Sequence, residues 1–149
     1  MNIAPKNIQD LKDNEIFIFG SNTDGRHGAG AAAYALKHFG AVYGKGVGLA
    51  GQSYAIPTRK FFKNEYNNWE LRTLELSKIA RYVYDFIGFA SVHKEKDFLV
   101  SEIGCGHAGL IPEDIAPLFA GAITMSNVFL PQSFIDVLNS KKEIDNGKE

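Results

Sequence analysis

Two glycine-rich segments of the chain carry side chains that could bind or transform a ligand. Residues 20–31 read GSNTDGRHGAGA, and residues 104–109 read GCGHAG. Twelve of the 15 glycines lie in these two segments and in a third window at residues 40–51. Glycine lets the backbone turn sharply and approach a ligand closely, so we expect the chemistry of the protein in these segments.

The first segment has the features of an anion-binding site. A helix is predicted over residues 28–39; it begins with small residues, has no acid in its first turn, and follows Arg26 and His27. Free N–H groups, the positive end of the helix dipole and a flanking cation all favour a phosphate. The structural alternative is that small residues let the helix pack closely on a sheet. We favour the phosphate site.

The second segment exposes successive backbone N–H groups and could wrap a diphosphate. Cys105 lies two residues before His107, which raises the alternative of a cysteine nucleophile activated by a histidine base. Side chains two residues apart in a glycine turn seldom hold hydrogen-bond geometry, and no third residue is placed to orient the histidine. We therefore expect Cys105 to fill space at the end of a strand.

Two other patterns are weak. Residues 46–51 spell G-x-G-x-x-G, but they precede a strand and open no helix, so we interpret them as a flexible loop. The four histidines lack the spacing of a metal site, and we predict neither a metal nor a cofactor. We expect His38 and His93 to face solvent.

Several aromatic residues follow two cations between residues 59 and 69. The cations are Arg59 and Lys60, and the aromatic residues are Phe61, Phe62, Tyr66 and Trp69. Such a mixture either stacks a nucleic acid base or forms a surface loop whose rings pack on one another. The sequence does not decide between these two interpretations. It also does not show whether residues 59–68 act as a lid.

Short apolar runs and helical periodicities predict the elements that position these segments. The expected strands are 15–20, 53–57, 98–103 and 127–130; the expected helices are 28–39, 69–90, one opening at Pro112, and 131–138. This alternation predicts a three-layer α/β/α fold with a mostly parallel central sheet. Ligands of such sheets bind beyond the carboxyl ends of the strands, where both glycine segments begin.

Length and composition exclude several protein classes. A chain of 149 residues is about one domain, assigned here to residues 1–139, and the charged residues 140–149 are predicted to form a disordered tail. The 16 basic and 17 acidic residues give no global positive field. The single cysteine excludes an intramolecular disulfide. Without a membrane-length apolar run or a signal peptide, we predict a cytoplasmic protein with no membrane partner.

The two glycine segments together resemble the ligand loops of macrodomains. Residues 22–30, NTDGRHGAG, are similar to the first loop, most of all in the branch of the terminal ADP-ribose protein glycohydrolase and the ADP-ribose-1″-phosphate phosphatases. Residues 103–109 and 113–118 are similar to the second loop and its helix, and residues 54–58 lie where the family has its middle strand. The resemblance covers about residues 15–130.

This resemblance implies a macrodomain-like fold with an ADP-ribose pocket. The diphosphate would lie between the two glycine segments, the distal ribose near Asn22 and residues 28–30, and the adenine near Asp10. The lysine and the aspartate that the glycohydrolase branch uses are replaced here by Thr58 and Ala108. Their absence favours a reader of ADP-ribosylated partners, protein or nucleic acid, over a glycohydrolase.

We therefore expect the chain to bind ADP-ribose or a related derivative. It either hydrolyses ADP-ribosyl or ADP-ribose-phosphate bonds or acts as a non-catalytic reader; a cysteine-dependent hydrolase is a third alternative. A catalytic chain would use His107 to carry the proton and Asp24 and Asn22 to orient a ribose or water. The predicted ligand-binding residues are Asp10, Ser21, Asn22, Arg26, Gly28, Ala29, Gly30, Gly104, Cys105, Gly106, His107, Ala108 and Gly109.

Overall fold

A mostly parallel sheet organises the chain. The computed structural model describes residues 2–146, with side chains through residue 141, and contains seven strands within that range. They are β1 (Asn2–Ile3), β2 (Glu15–Asn22), β3 (Gly48–Ala50), β4 (Ser53–Lys63), β5 (Trp69–Thr73), β6 (Asp97–Val100) and β7 (Val128–Leu130). Their order is β1-β7-β6-β2-β4-β3, with β5 paired to β4. The strands from β1 to β4 in this order pair in parallel, and only β3 and β5 run antiparallel to β4.

The described residues also form four α-helices: α1 (Gly30–His38), α2 (Leu76–Val92), α3 (Pro112–Ile115) and α4 (Gln132–Asn146). A 3-10 helix over Ala116–Ala122 continues from α3. The chain is therefore a mixed α/β fold with a mostly parallel sheet, as the sequence predicts.

Successive residues of β2 pack into two different hydrophobic clusters. Ile16 and Ile18 belong to a large cluster with residues of α2, the 3-10 helix and α4. Phe17 and Phe19 belong to a smaller cluster with alanines of α1. Side chains of a strand alternate between the two faces of its sheet, so β2 is covered on both faces. That explains why its sequence is apolar without interruption.

The segment from residue 59 to residue 73 differs most from the prediction. The second predicted strand continues to Lys63, and β5 returns beside it, so residues 59–73 form a β-hairpin. The helix predicted from Trp69 begins only at Leu76. Residues 69–73, WELRT, alternate apolar and polar side chains with the period of two that a strand requires, and the helical period starts after them.

Several element boundaries also differ. Helix α1 begins two residues later than predicted, and Gly40 follows it with a φ of +78°, as expected of a helix-ending glycine. Strand β6 stops at Val100, so residues 101–103 belong to the following loop. The short strands β1 and β3 were not predicted, and β3 lies in the window read as a flexible loop.

The last helix is longer than the sequence predicts. We expected it to end at residue 138, whereas α4 continues to Asn146. Most of the segment predicted as a disordered tail is thus helical, and residues 147–149 lie outside the described part of the chain.

Gly46 supports the end of β2 by close contact. A Cβ atom at this position would overlap the carbonyl oxygen of Asn22 and lie 2.8 Å from that of Thr23. We predict that Gly46→Ala lowers the free energy of unfolding by about 1–3 kcal/mol, because backbone atoms have to move. Urea denaturation measures the change. Gly28→Ala is the control, since its Cβ would meet nothing within 4 Å; equal stability of the two variants would contradict the prediction.

Candidate functional site

The two glycine segments lie side by side and line one cavity. Strands β2 and β6 pair in parallel, so the chain leaves both at the same edge of the sheet. A Cβ atom on Gly20 would lie 3.5 Å from the backbone nitrogen of Gly104, and one on Gly30 would lie 3.6 Å from Nε2 of His107. The cavity between the segments has a volume of about 580 Å³. The structure thus brings together most of the predicted ligand-binding residues.

The side chain of Asn22 holds the first loop in shape. It is 6% exposed, and its carboxamide accepts a hydrogen bond from the Arg26 N–H and donates one to the Arg26 carbonyl, both at 3.0 Å. Because one amide makes both bonds, the backbone of residue 26 is fixed relative to β2. The guanidinium of Arg26 lies 4.9 Å from the ring centre of Phe61, so the cation is positioned at the wall of the cavity.

Helix α1 begins at the cavity with uncapped N–H groups. No side chain caps it and its first turn contains no acid. The N–H groups of residues 30, 31 and 32 have no hydrogen-bond acceptor among the described residues. The start of α3 differs, because the Asp114 carboxylate accepts a hydrogen bond from the Ile111 N–H at 3.2 Å. Of these two helix starts, only that of α1 is without an acidic side chain, which leaves the positive end of its dipole uncompensated.

His27, the second residue expected to flank the anion site, points elsewhere. Its ring is 2% exposed, packs edge-on against Phe19, and has Nε2 3.0 Å from the carbonyl oxygen of Lys45. It therefore fixes the first loop to the turn at residues 44–46. Of the two residues expected to precede the anion site, only Arg26 lines the cavity.

Internal hydrogen bonds close the second loop while leaving donors free. Gly104 has a φ of +79°, which favours glycine, and its carbonyl accepts a bond from the Leu110 N–H at 2.9 Å. The N–H groups of residues 106, 107 and 108 have no acceptor within the described part of the chain. These residues line the cavity, so their N–H groups are available to a ligand.

Cys105 has the properties of an unreactive thiol. Burial, followed by the negative charges of Glu102, Asp114 and Glu113, raises the pKa of the Cys105 thiol to about 11. The thiol packs against the main core, and its Sγ lies 3.6 Å from the Ile103 carbonyl oxygen. A nucleophilic cysteine needs a lowered pKa, so this environment opposes the alternative of a cysteine-dependent hydrolase.

A second cavity of about 720 Å³ adjoins the first. The two share residues 30, 31, 101 and 102 as lining. Its other walls come from residues 4–8, from Tyr34 and from the start of α4. Glu102 lies at the boundary between the two cavities, and its carboxylate accepts a hydrogen bond from the Ser133 hydroxyl at 2.9 Å. Together the cavities form a groove along the carboxyl edge of the sheet.

Three predicted site residues lie outside this groove. Asp10, Asp24 and Gly109 are exposed and line neither cavity. Other lining residues were not among those predicted to bind a ligand, namely Gly20, Ala31, Ala32, Thr58, Arg59, Phe61, Leu71, Ser101, Glu102 and Ile103. Arg59 and Phe61 lie two residues apart in the extension of β4. This spacing places two side chains on the same face of a strand and could have indicated that both face the cavity.

Two histidines outside the cavity have different surroundings. His38 is exposed, as predicted. His93 is partly buried; its ring stacks on Phe89 at 4.0 Å and its Nδ1 lies 2.8 Å from the Phe89 carbonyl oxygen, so the expectation that it faces solvent was wrong.

The described part of the chain shows neither a metal site nor a membrane span. Among the side chains of residues 2–141, no group of three or more histidines, cysteines, aspartates or glutamates could hold a metal ion. Within residues 2–146 no helix is long and apolar enough to cross a membrane. Comparison of the chain with protein-family models, curated proteins and solved structures gave no match.

The environment of Cys105 predicts slow alkylation. With a pKa of about 11, its thiolate fraction at pH 7.5 is on the order of a hundredfold below that of an ordinary cysteine. Iodoacetamide should therefore modify the folded protein slowly, at a rate that rises about tenfold per pH unit up to pH 10. Because the chain has one cysteine, mass spectrometry reports this site alone. The urea-unfolded chain is the control; equally fast alkylation of the folded chain at pH 7.5 would contradict the assignment.

Proposed function

We propose that the groove binds ADP-ribose or a closely related derivative, with the diphosphate in the 580 Å³ cavity. The observation that carries the proposal is the convergence of two glycine loops, distant in sequence, whose free N–H groups lie at the same cavity. The resemblance of these loops to the macrodomain ligand loops supports the choice of ligand. A macrodomain-like three-layer arrangement of the fold is part of the same proposal.

A diphosphate suits the first cavity because this cavity combines donors with a cation. The start of α1 and residues 106–108 provide backbone N–H groups, and Arg26 provides a positive charge. Phosphate oxygens accept hydrogen bonds only, so they match a wall of donors. The exposed side chain of His107 is the proton-carrying group nearest to Gly30.

The second cavity suits the nucleoside end of the ligand. The Glu102 carboxylate is an acceptor and matches ribose hydroxyl or adenine amino donors. Tyr34 and Ile8 supply apolar surface for a base. In this proposal residues 4–8 lie near the adenine, the position that the resemblance implied for Asp10.

The residues at the first cavity favour a reader over an enzyme. At the position that corresponds to the glycohydrolase lysine, Thr58 is 3% exposed and its hydroxyl lies 3.4 Å from the Ser21 carbonyl oxygen. Ala108 provides no carboxylate where the aspartate would stand. Asp24 lies outside the cavity, and the carboxamide of Asn22 is engaged with Arg26. Hydrolysis with His107 as proton carrier remains the second candidate function, because this histidine lines the cavity.

Calorimetry with ADP-ribose, ADP and AMP tests binding. We expect affinity to increase from AMP to ADP, since ADP adds the second phosphate, and to be highest for ADP-ribose. Absence of heat at millimolar ligand would overturn the proposal.

A matched pair of glycine variants tests the location of the diphosphate. Gly106 lines the cavity, and a Cβ there would meet nothing within 4 Å; Gly88 on α2 has the same open surroundings away from the cavity. We predict that Gly106→Leu weakens ADP-ribose binding at least tenfold, because its side chain enters the diphosphate space, whereas Gly88→Leu binds as the parent protein does. Thermal unfolding checks that both variants fold. Equal affinities of the two variants would place the ligand elsewhere.

A mono-ADP-ribosylated protein separates the reader from the hydrolase. We expect the chain to retain this protein on a column without releasing free ADP-ribose, because the first cavity lacks the lysine and the aspartate. If ADP-ribose is released, the His107→Ala variant should lose turnover while keeping affinity, as general acid–base catalysis requires. Chromatography of the released nucleotide measures turnover. Release that His107→Ala leaves unchanged would remove histidine from the mechanism.

A further inference from the structure

One face of the β4–β5 hairpin extends beyond the cavity as a platform of aromatic and basic side chains. In the antiparallel register Arg59 is opposite Thr73, Phe61 opposite Leu71, and Lys63 opposite Trp69. Residues directly opposite one another share a face of the sheet. We call these residues the hairpin platform: Arg59, Phe61, Lys63, Trp69, Leu71 and Thr73.

The hairpin platform begins in the cavity and ends in solvent. Arg59, Phe61 and Leu71 line the cavity, and the Thr73 hydroxyl donates a hydrogen bond of 2.6 Å to the Ala108 carbonyl in the second loop. At the outer end Trp69 is 65% exposed. A large indole ring held on a strand and exposed to this degree has surface free for a partner.

The charges of the hairpin platform are all positive and unpaired. Arg59, Lys63 and the adjoining Arg26 have no acid beside them on this face, and among the described side chains the one ion pair joins Arg72 to Glu70, at 3.1 Å. Glu70 and Arg72 lie opposite Phe62 and Lys60 on the other face of the hairpin. Two cations lie over the rings of the hairpin platform: the adjoining Arg26 lies 4.9 Å from the centre of Phe61, and Lys63 lies 5.4 Å from that of Trp69.

We propose that the hairpin platform binds single-stranded nucleic acid. Unpaired bases offer flat faces that stack on Phe61 and Trp69, and the phosphates of the strand are attracted by Arg59, Lys63 and Arg26. A duplex hides these base faces, and an acidic peptide would use the cations but leave the rings uncovered. The hairpin platform shares Arg59 and Phe61 with the cavity, but its outer end, Lys63 and Trp69, lies outside it, so the proposal does not depend on nucleotide binding in the cavity.

The single tryptophan of the chain reports this contact directly. Titration of the full chain with the oligonucleotides dT12 and U12 should quench the fluorescence of Trp69 saturably, because a stacked base contacts the indole. A duplex of equal length and heparin, an anion without bases, should cause little quenching. Absence of quenching by both oligonucleotides would overturn the proposal, as would equal quenching by heparin, which would indicate a site for any acidic polymer, including an acidic peptide.

Variants on the two faces of the hairpin provide matched controls. In fluorescence anisotropy with labelled dT12, Trp69→Ala should weaken binding about 5–150-fold, the loss expected for one stacked base. Lys63→Gln should reduce the slope of log affinity against log salt by about 0.7, the value for one phosphate contact. Phe62→Ala and Lys60→Gln, on the other face, should bind within twofold of the parent chain. Equal losses on both faces would overturn the proposal.

A further variant separates this site from the cavity. The Gly106→Leu variant is expected to lose ADP-ribose binding and to keep dT12 binding, whereas Trp69→Ala is expected to do the opposite. If dT12 binds and ADP-ribose does not, only the proposed cavity function fails; if ADP-ribose binds and dT12 does not, only the hairpin proposal fails.

Discussion

The parallel pairing of β2 with β6 is the constraint on which the candidate site depends. Two parallel neighbours end at the same edge of a sheet, so the loops that follow them must emerge together. Gly20 and Gly104 are in near contact at this point. Both loops can therefore contribute backbone donors to one cavity, although more than 80 residues separate them along the chain. Without this pairing, the glycines would form two unrelated turns.

Buried polar contacts then give the first loop its shape. The Asn22 carboxamide holds the backbone of Arg26, and the buried ring of His27 is bonded to the turn at residues 44–46. Gly46 contacts the end of β2 from the same turn. The third glycine window thus supports the first glycine loop. A fixed loop loses less conformational freedom when it binds a ligand.

Local sequence signals predicted the strands next to the glycine loops, the uncapped start of α1 and the grouping of most cavity residues. They were insufficient where long-range pairing decides the structure. The predicted strand 53–57 ends at Pro57; in the structure this proline lies where the register between β2 and β4 shifts, an irregularity that tolerates proline, and β4 continues past it. Strands β1 and β3 are too short to show a periodicity. Asp10 was chosen from the resemblance; in the structure it is exposed and lines neither cavity, whereas residues 4–8 line the second one.

The hydrogen bond from the Thr73 hydroxyl to the Ala108 carbonyl joins the hairpin to the second glycine loop. The cavity wall and the peptide units that would hold a ligand therefore form one mechanical unit. Any displacement of the hairpin must either break this bond or carry the loop with it. Ordering of the loop by an occupant of the cavity would accordingly also restrain the end of strand β5 at Thr73, which is the end opposite Trp69.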